Sequence, residues 1–288
     1  MSLDVSPVYC DGCRSIMSSL HLPAYFQRIG YAGPTAPTLE TLRALHLAHT
    51  GAFVFENLDN WSNRPVSLRL EDIVDKLVTR GRGGYCFETN ALFAAVLEQL
   101  GYQVGRLAAR VVWMQPPGVR TPRTHMLLRV VIDGRDWIAD VGFGGIGQTA
   151  PLELHSDAAQ VTPHETRRFR REGGEVIHQA LLGPEEWADV YRFDLTEAAP
   201  ADYEVANWYV AAHPESLFRK TPLVTLPRAD HRLILAFGEF TRRGLDGRVE
   251  KRPVRDDADL RDILIREFGL PASDPAVGNA TLTPPPGR

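Results

Sequence analysis

Arg82-Gly83-Gly84-Tyr85-Cys86-Phe87-Glu88 is the stretch on which the reading of this chain turns. Its glycines interrupt the helical spacing upstream. A second helical pattern leaves it, with Phe87, Leu92, Phe93, Val96 and Leu97 recurring as an apolar face and Gly101 just past the end. Cys86 is thereby expected at a helix N-terminus, where the helix dipole and unpaired backbone N–H groups favour a thiolate. The thiolate is the nucleophilic form, so Cys86 is the candidate for covalent catalysis.

The same stretch separates two kinds of sequence. Before it the spacing is helical: from Tyr25, then after Thr38 as an N-cap (Leu39, Leu42, Leu45, His49), then over residues 70–79 with Ile73, Val74 and Leu77 on one face. After residue 102 the character becomes β-branched and apolar. Residues 104–113, 124–132 and 135–141 read as strands, the last two joined by an Asp133-Gly134 hairpin turn, and further strands are expected around 161–171 and 175–182. This middle third predicts an antiparallel sheet or barrel. Residues 199–206 read as a connecting segment. Asn207–Val210 leads into His213-Pro214-Glu215-Ser216, a turn or helix start. Strands follow at 232–236 and 237–243, then a helix at 257–267 stopped by Gly269. The expected organisation is an extension over 1–20, a helical domain over 21–101, a β domain over 102–198, the connection, and a mixed domain over 207–288 ending in a Pro-rich tail. The fold class is α+β.

With 288 residues, 44% hydrophobic and 24% charged, the composition is that of a soluble globular protein. A net charge of −4 argues against nucleic acid as partner, since phosphate contacts need clustered positive charge. The basic run Arg167-Arg168-Phe169-Arg170-Arg171 reads as a solvated face. Three cysteines are too few for a disulfide framework. Cys10 and Cys13 have C-x-x-C spacing, but nothing downstream completes a zinc site, so no metal is expected. No signal peptide and no membrane span are read, which leads to a cytoplasmic expectation.

A cysteine nucleophile needs a base beside it and a group to orient that base. His125 begins an apolar strand after a Pro/Gly/Arg loop, at a strand mouth suited to face a cleft. Asp140 closes the partner strand of the same hairpin. Counting outward from Asp133-Gly134 brings Met126 or its neighbours opposite Asp140, so the imidazole and carboxylate fall at one end of one hairpin. Cys86, His125 and Asp140 together make a plausible triad. Papain-like proteases, transglutaminases and some acyltransferases all use this logic, so the triad alone leaves a cysteine hydrolase open.

Several motifs in order resemble the arylamine N-acetyltransferase family over residues 22–270. They are Tyr25-Phe26-Gln27-Arg28-Ile29-Gly30-Tyr31, Phe55-Glu56-Asn57-Leu58, the Cys86 stretch, Asp140-Val141-Gly142-Phe143-Gly144, and Asn207-Trp208-Tyr209 followed by His213-Pro214-Glu215-Ser216-Leu217-Phe218. The resemblance implies a helical first domain, a β-barrel second domain and an α/β lid, around a cysteine-protease-like Cys-His-Asp core. It implies acetyl-CoA as acyl donor and an arylamine, arylhydrazine or N-hydroxyarylamine as acceptor, with Cys86, His125 and Asp140 as catalytic residues. It further implies Phe55, Phe143 and Phe218 around the acceptor, and Thr124, Gly142 and Gly144 near coenzyme A. A related amide-forming biosynthetic acyltransferase and a homo-oligomer remain compatible with it. Two departures stand out: Val54 where the family usually has Pro, and Ala211-Ala212 where Ser-Thr often precedes His-Pro.

Overall fold

The computed structural model describes residues 20–116 and 118–284. The expectations for Cys10 and Cys13, for residues 1–19 of the extension expected over 1–20 and for the last residues of the tail lie outside the described residues.

The first hundred residues are helical because apolar positions recur at helical spacing between clear stops. Helix α1 (Leu22–Ile29) begins with a proline in its first turn and ends at Gly30, whose φ of 66° needs a residue without a Cβ. Helix α2 (Leu39–Ala52) is capped as expected, the Thr38 hydroxyl accepting the Thr41 N–H. Short helices α3 (Leu58–Trp61) and α4 (Leu70–Val74) follow, the latter running on as a wider π turn over Asp75–Thr79. Helix α5 (Cys86–Gln99) starts on the nucleophile candidate itself.

A seven-stranded antiparallel sheet comes next. Its strands are β2 (Gln103–Val111), β3 (Arg123–Ile132), β4 (Arg135–Ala139), β5 (Leu152–Glu153), β6 (Arg167–Glu172), β7 (Glu175–Gly183) and β8 (Glu186–Glu197). Their order is β5-β4-β3-β2-β8-β7-β6. Gln160 nearly closes the sheet into a barrel. Its side chain bonds the Glu153 backbone of β5 on one side, and its backbone pairs with Arg167 of β6 on the other. Strand β3 is covered on both faces, which explains the continuous run Met126-Leu127-Leu128. Met126, Leu128 and Val130 pack with the helical core, whereas Leu127 joins Leu107, Ile138 and Phe193 inside the barrel.

The C-terminal strands pair antiparallel throughout: β9 (Val224–Pro227), β10 (His231–Ala236), β11 (Glu239–Gly244) and β12 (Val249–Pro253), with β1 (Phe55–Glu56) added at one edge. Helix α7 (Asp257–Asp262) and the π turn Ile263–Glu267 bury Leu260, Ile263 and Leu264 in a third apolar cluster shared with Leu226 and Leu235.

Four expectations need correction. Residues 199–206 are no simple connection but the first half of helix α6 (Pro200–Ala212), which also takes in Asn207–Val210. Pro200 presets the first turn, the Asp202 carboxylate accepts the Ala199 N–H, and Tyr203, Asn207 and Val210 are buried at helical spacing. The strand expected from 161 starts only at Arg167, because Thr162 turns the chain by accepting His164 N–H and donating to Glu165 O. The basic run is not uniformly solvated: Arg167 points inward and is fully buried. Phe237 is not in a strand but shares with Gly238 a two-residue turn at positive φ.

Candidate active site

Two separate pieces of chain build the site, and each is fixed differently. Tyr85 precedes helix α5 and gives its N–H to the Glu88 carboxylate at 3.1 Å, so Cys86 occupies the first helical position. The glycines before it let the chain pass close to β1. Gly84 N–H donates to Val54 O, and Glu56 N–H donates to Gly84 O. A Cβ on Gly83 would strike the Val54 carbonyl. Val54, the departure noted above, thus serves through its main chain.

Beneath this loop lies a group of buried charges. Arg82, 1% exposed, bonds Glu56 and Asp274 at 2.7 Å each and Asp59 at 3.3 Å. Lys76 bonds Glu88 and Asp59 at 2.7 Å each. Burial would strip the proton from Lys76, but Glu88, Glu56 and Asp59 outweigh it and hold the ammonium well above its ordinary range. For Glu88 burial wins instead and pushes its carboxyl up, against the pull of Lys76. Neither Lys76 nor Arg82 figured in the sequence expectations as functional groups.

His125 and Asp140 come from the hairpin. The observed register pairs Leu128 with Ala139, so the next position on β3 opposite Asp140 is Leu127, inside the predicted range. His125 lies two residues further along the same face, a diagonal neighbour. His125 Nε2 is 2.7 Å from Asp140 Oδ2, with both side chains buried. Asp140 Oδ1 accepts from Asn90 Nδ2 and from Gly142 N–H, each at 3.0 Å. Burial opposes charge on both partners. Their mutual attraction outweighs it, so His125 is raised to about 10 and Asp140 lowered to about 2. Cys86 adds a smaller push in the same direction on His125. Cys86 Sγ lies 3.6 Å from Thr124 O.

Asn90 is a buried polar residue of the site that the sequence expectations did not include. It sits one helical turn after Cys86, so it shares the face of α5 that carries the thiol. Besides Asp140 it bonds Met126 O at 2.7 Å and accepts Val141 N–H at 3.0 Å, tying helix, hairpin and the following loop together. The spacing Cys86-Phe87-Glu88-Thr89-Asn90 was the available signal.

The aromatic residues fall into two groups. Phe143 packs edge-on against His125 at 5.2 Å between ring centroids, and Tyr191 lies tilted against the same ring at 5.1 Å. Phe218 stands edge-on to both Phe55, at 6.0 Å, and Tyr85, at 5.5 Å. Gly144 joins the groups: at φ 75°, a Cβ there would come within 2.7 Å of the Phe55 ring. Gly142 passes so close to helix α5 that its Cβ would lie 2.7 Å from Cys86 Cα. Thr124 contributes its carbonyl to the thiol. A cavity of about 550 Å³ lies beside Phe87, Met126, Tyr203 and Trp208 and is lined by neither Cys86 nor His125. Among the described residues no three His, Cys, Asp or Glu side chains converge as metal ligands, and no helix is long and apolar enough to cross a membrane.

A cysteine at a helix start, a cationic imidazole beside it and a buried carboxylate behind that imidazole are the parts of a covalent acyl-transfer site. Comparison with known proteins narrows the class. The N-acetyltransferase family pattern matches residues 38–277. An arylamine N-acetyltransferase of Escherichia coli is 42% identical over 251 residues, covering 87% of this chain and 89% of that protein. An arylamine N-acetyltransferase / N-hydroxyarylamine O-acetyltransferase of Salmonella typhimurium is 41% identical, covering 88% and 90%. The solved structure of Mycobacterium marinum arylamine N-acetyltransferase in complex with CoA superposes with a TM-score of 0.83 at 40% identity, covering 87% of this chain and 93% of that one. The chain belongs to the arylamine N-acetyltransferase family and is a transferase.

Proposed function

We propose that the chain moves an acetyl group from acetyl-CoA to an aromatic amine in two half-reactions, with Cys86 as the carrier. Acetyl-CoA is the donor substrate, as the complex of the Mycobacterium marinum relative with CoA supports. In the first half-reaction Cys86 sulfur attacks the acetyl carbonyl. The thioester bond to coenzyme A breaks, His125 supplies the proton to the departing thiolate, and acetyl-Cys86 remains. In the second the amine nitrogen attacks acetyl-Cys86. His125 takes the ammonium proton, the carbon–sulfur bond breaks, and the thiolate returns beside the imidazolium. Asp140 keeps the imidazole oriented and stabilises its charge.

The observation that carries this reading is the 2.7 Å His125–Asp140 pair beside Cys86 at the first position of α5. Phe55, Phe143 and Phe218 supply edges and faces on which an aromatic acceptor can stack. Arylamines, arylhydrazines and N-hydroxyarylamines are the acceptor class. Thr124, Gly142 and Gly144 border the place where the coenzyme A thioester meets Cys86. The three apolar clusters support a division into helical, barrel and lid units, with helix α6 joining the last two along the chain while burying Tyr203 and Val210 in the first. The free thiol on which the chemistry depends fits a reducing cytoplasm. Acetylation of an aniline with acetyl-CoA, followed by absorbance, tests the overall reaction; amide or peptide hydrolysis without acetylation would point to a cysteine hydrolase instead.

A further inference from the structure

Helix α2 carries two fully buried histidines that this mechanism does not use, His46 and His49. Asp140 lies one residue beyond the last ladder pair of the hairpin, Leu128–Ala139, so its main chain needs another partner. It finds one in His46, whose Nε2 accepts the Asp140 N–H at 3.3 Å. An imidazole nitrogen that accepts is unprotonated, so a neutral His46 carries its single proton on Nδ1. That Nδ1 is buried with no hydrogen-bond partner, and so is Nε2 of His49. The two histidines are three residues apart on one helix face, and both rings pack against Phe93. His49 Nδ1 in turn lies 2.9 Å from the Tyr25 hydroxyl. If His49 donates from Nδ1 to Tyr25, its Nε2 is an acceptor matching the Nδ1–H of His46. The two nitrogens are complementary in role, but no hydrogen bond joins them, so the row is bonded at its two ends, Tyr25–His49 and His46–Asp140.

We propose that His46 is a positioning residue for the triad: as the Nδ1–H tautomer it fixes the Asp140 main chain, while Asn90 and Gly142 fix the carboxylate against His125. This rests on the triad reading above. The charged groups that act on His46 are Asp140 and Arg167, with the equally buried, neutral His49 beside it on the helix; burial dominates and lowers His46 to about 4, so the ring stays neutral at working pH.

Two measurements test it. In histidine-labelled wild-type protein, long-range ¹H–¹⁵N spectra report the tautomer of each ring, with the His46 signals assigned by their loss in His46→Gln. The expected result is a neutral ring protonated on Nδ1; a proton on Nε2, or a charged ring at pH 7, overturns the proposal. This readout does not depend on catalysis. The second is the single-turnover rate at which acetyl-CoA acetylates Cys86. His46→Phe keeps a ring but loses the acceptor, and should slow acetylation by about tenfold or more with the donor KM little changed. His46→Gln places a carboxamide oxygen near the Nε2 position and should recover most of that rate. A His46→Phe variant as fast as wild type, or a His46→Gln variant no faster than His46→Phe, overturns the proposal. Failure of the wild-type protein to acetylate at all would strike the triad reading, and the tautomer result would still decide the hydrogen bond.

Discussion

The side of the site that carries Cys86, the proposed nucleophile side, and the side that carries His125 and Asp140, the proposed base side, are held by opposite means. Around the loop before Cys86, buried charges are spent on one another: Arg82 and Lys76 against Glu56, Asp59, Glu88 and Asp274. Around Asp140 the supports are neutral: the Asn90 amide, the Gly142 N–H and the His46 ring. The difference is physical. Two buried cations, each shared among carboxylates, anchor the backbone of the loop. Neutral donors stabilise the Asp140 carboxylate without competing with His125 for it, so the one buried ion pair at the base remains free to serve the thiol.

The largest effect should come from the atom both sides serve. Cys86→Ala should remove turnover of an aniline while leaving the far-UV circular dichroism unchanged; measurable turnover in that variant would break the link between the two sides. Asp140→Asn keeps the shape of the base side but removes its charge, and should lower kcat/KM by about 10³-fold or more, as loss of an orienting carboxylate does in other triads. A loss under tenfold would mean that the neutral supports suffice without the ion pair.

The nucleophile side should fail through stability instead. Arg82→Met leaves Glu56 and Asp274 without their main partner and should cost about 3–5 kcal/mol in urea unfolding, the usual penalty for breaking a buried pair from one end. A cost under 1 kcal/mol would show that the network is dispensable. Asn90→Ala should cost less, about 1–3 kcal/mol for three lost hydrogen bonds partly replaced by water, and its activity should fall by more than its stability explains.

The pH dependence has the smallest effect and a definite sign. His125 binds its proton more tightly folded than unfolded, so its contribution is complete below 6.5 and is lost as pH rises toward about 10. His46 is the reverse: held neutral when folded, it costs stability as pH falls from 6.5 toward about 4. The urea midpoint should therefore decline on both sides of roughly pH 6–7, and in Asp140→Asn the alkaline decline should flatten. An unchanged alkaline slope in that variant would count against the ion pair.

Much of this was readable before the fold was known, and for identifiable reasons. The Thr38 cap, the start of α5 at Cys86 and the Asp133-Gly134 turn are local signals, and each element formed where its own residues placed it. The hairpin register followed from the turn, which brought His125 to Asp140. What escaped was set by distant contacts. Strand β8 escaped although Tyr191, Phe193 and Leu195 alternate with polar residues; its place between β2 and β7 comes from the ladders. The inward Arg167 is recognisable only once Glu165 and the Ile146 carbonyl are beside it. Asn90 and His46 carry no motif of their own; their meaning lies in what Asp140 needs from them.

The most direct test of the central claim is an intact-mass spectrum of the enzyme mixed with acetyl-CoA and no amine. A mass gain of one acetyl group, mapped to Cys86 by peptide digestion and lost on adding an aniline with stoichiometric release of the acetanilide, is the predicted result. No acetyl-enzyme without amine, in a preparation that still acetylates aniline at full rate, would contradict it.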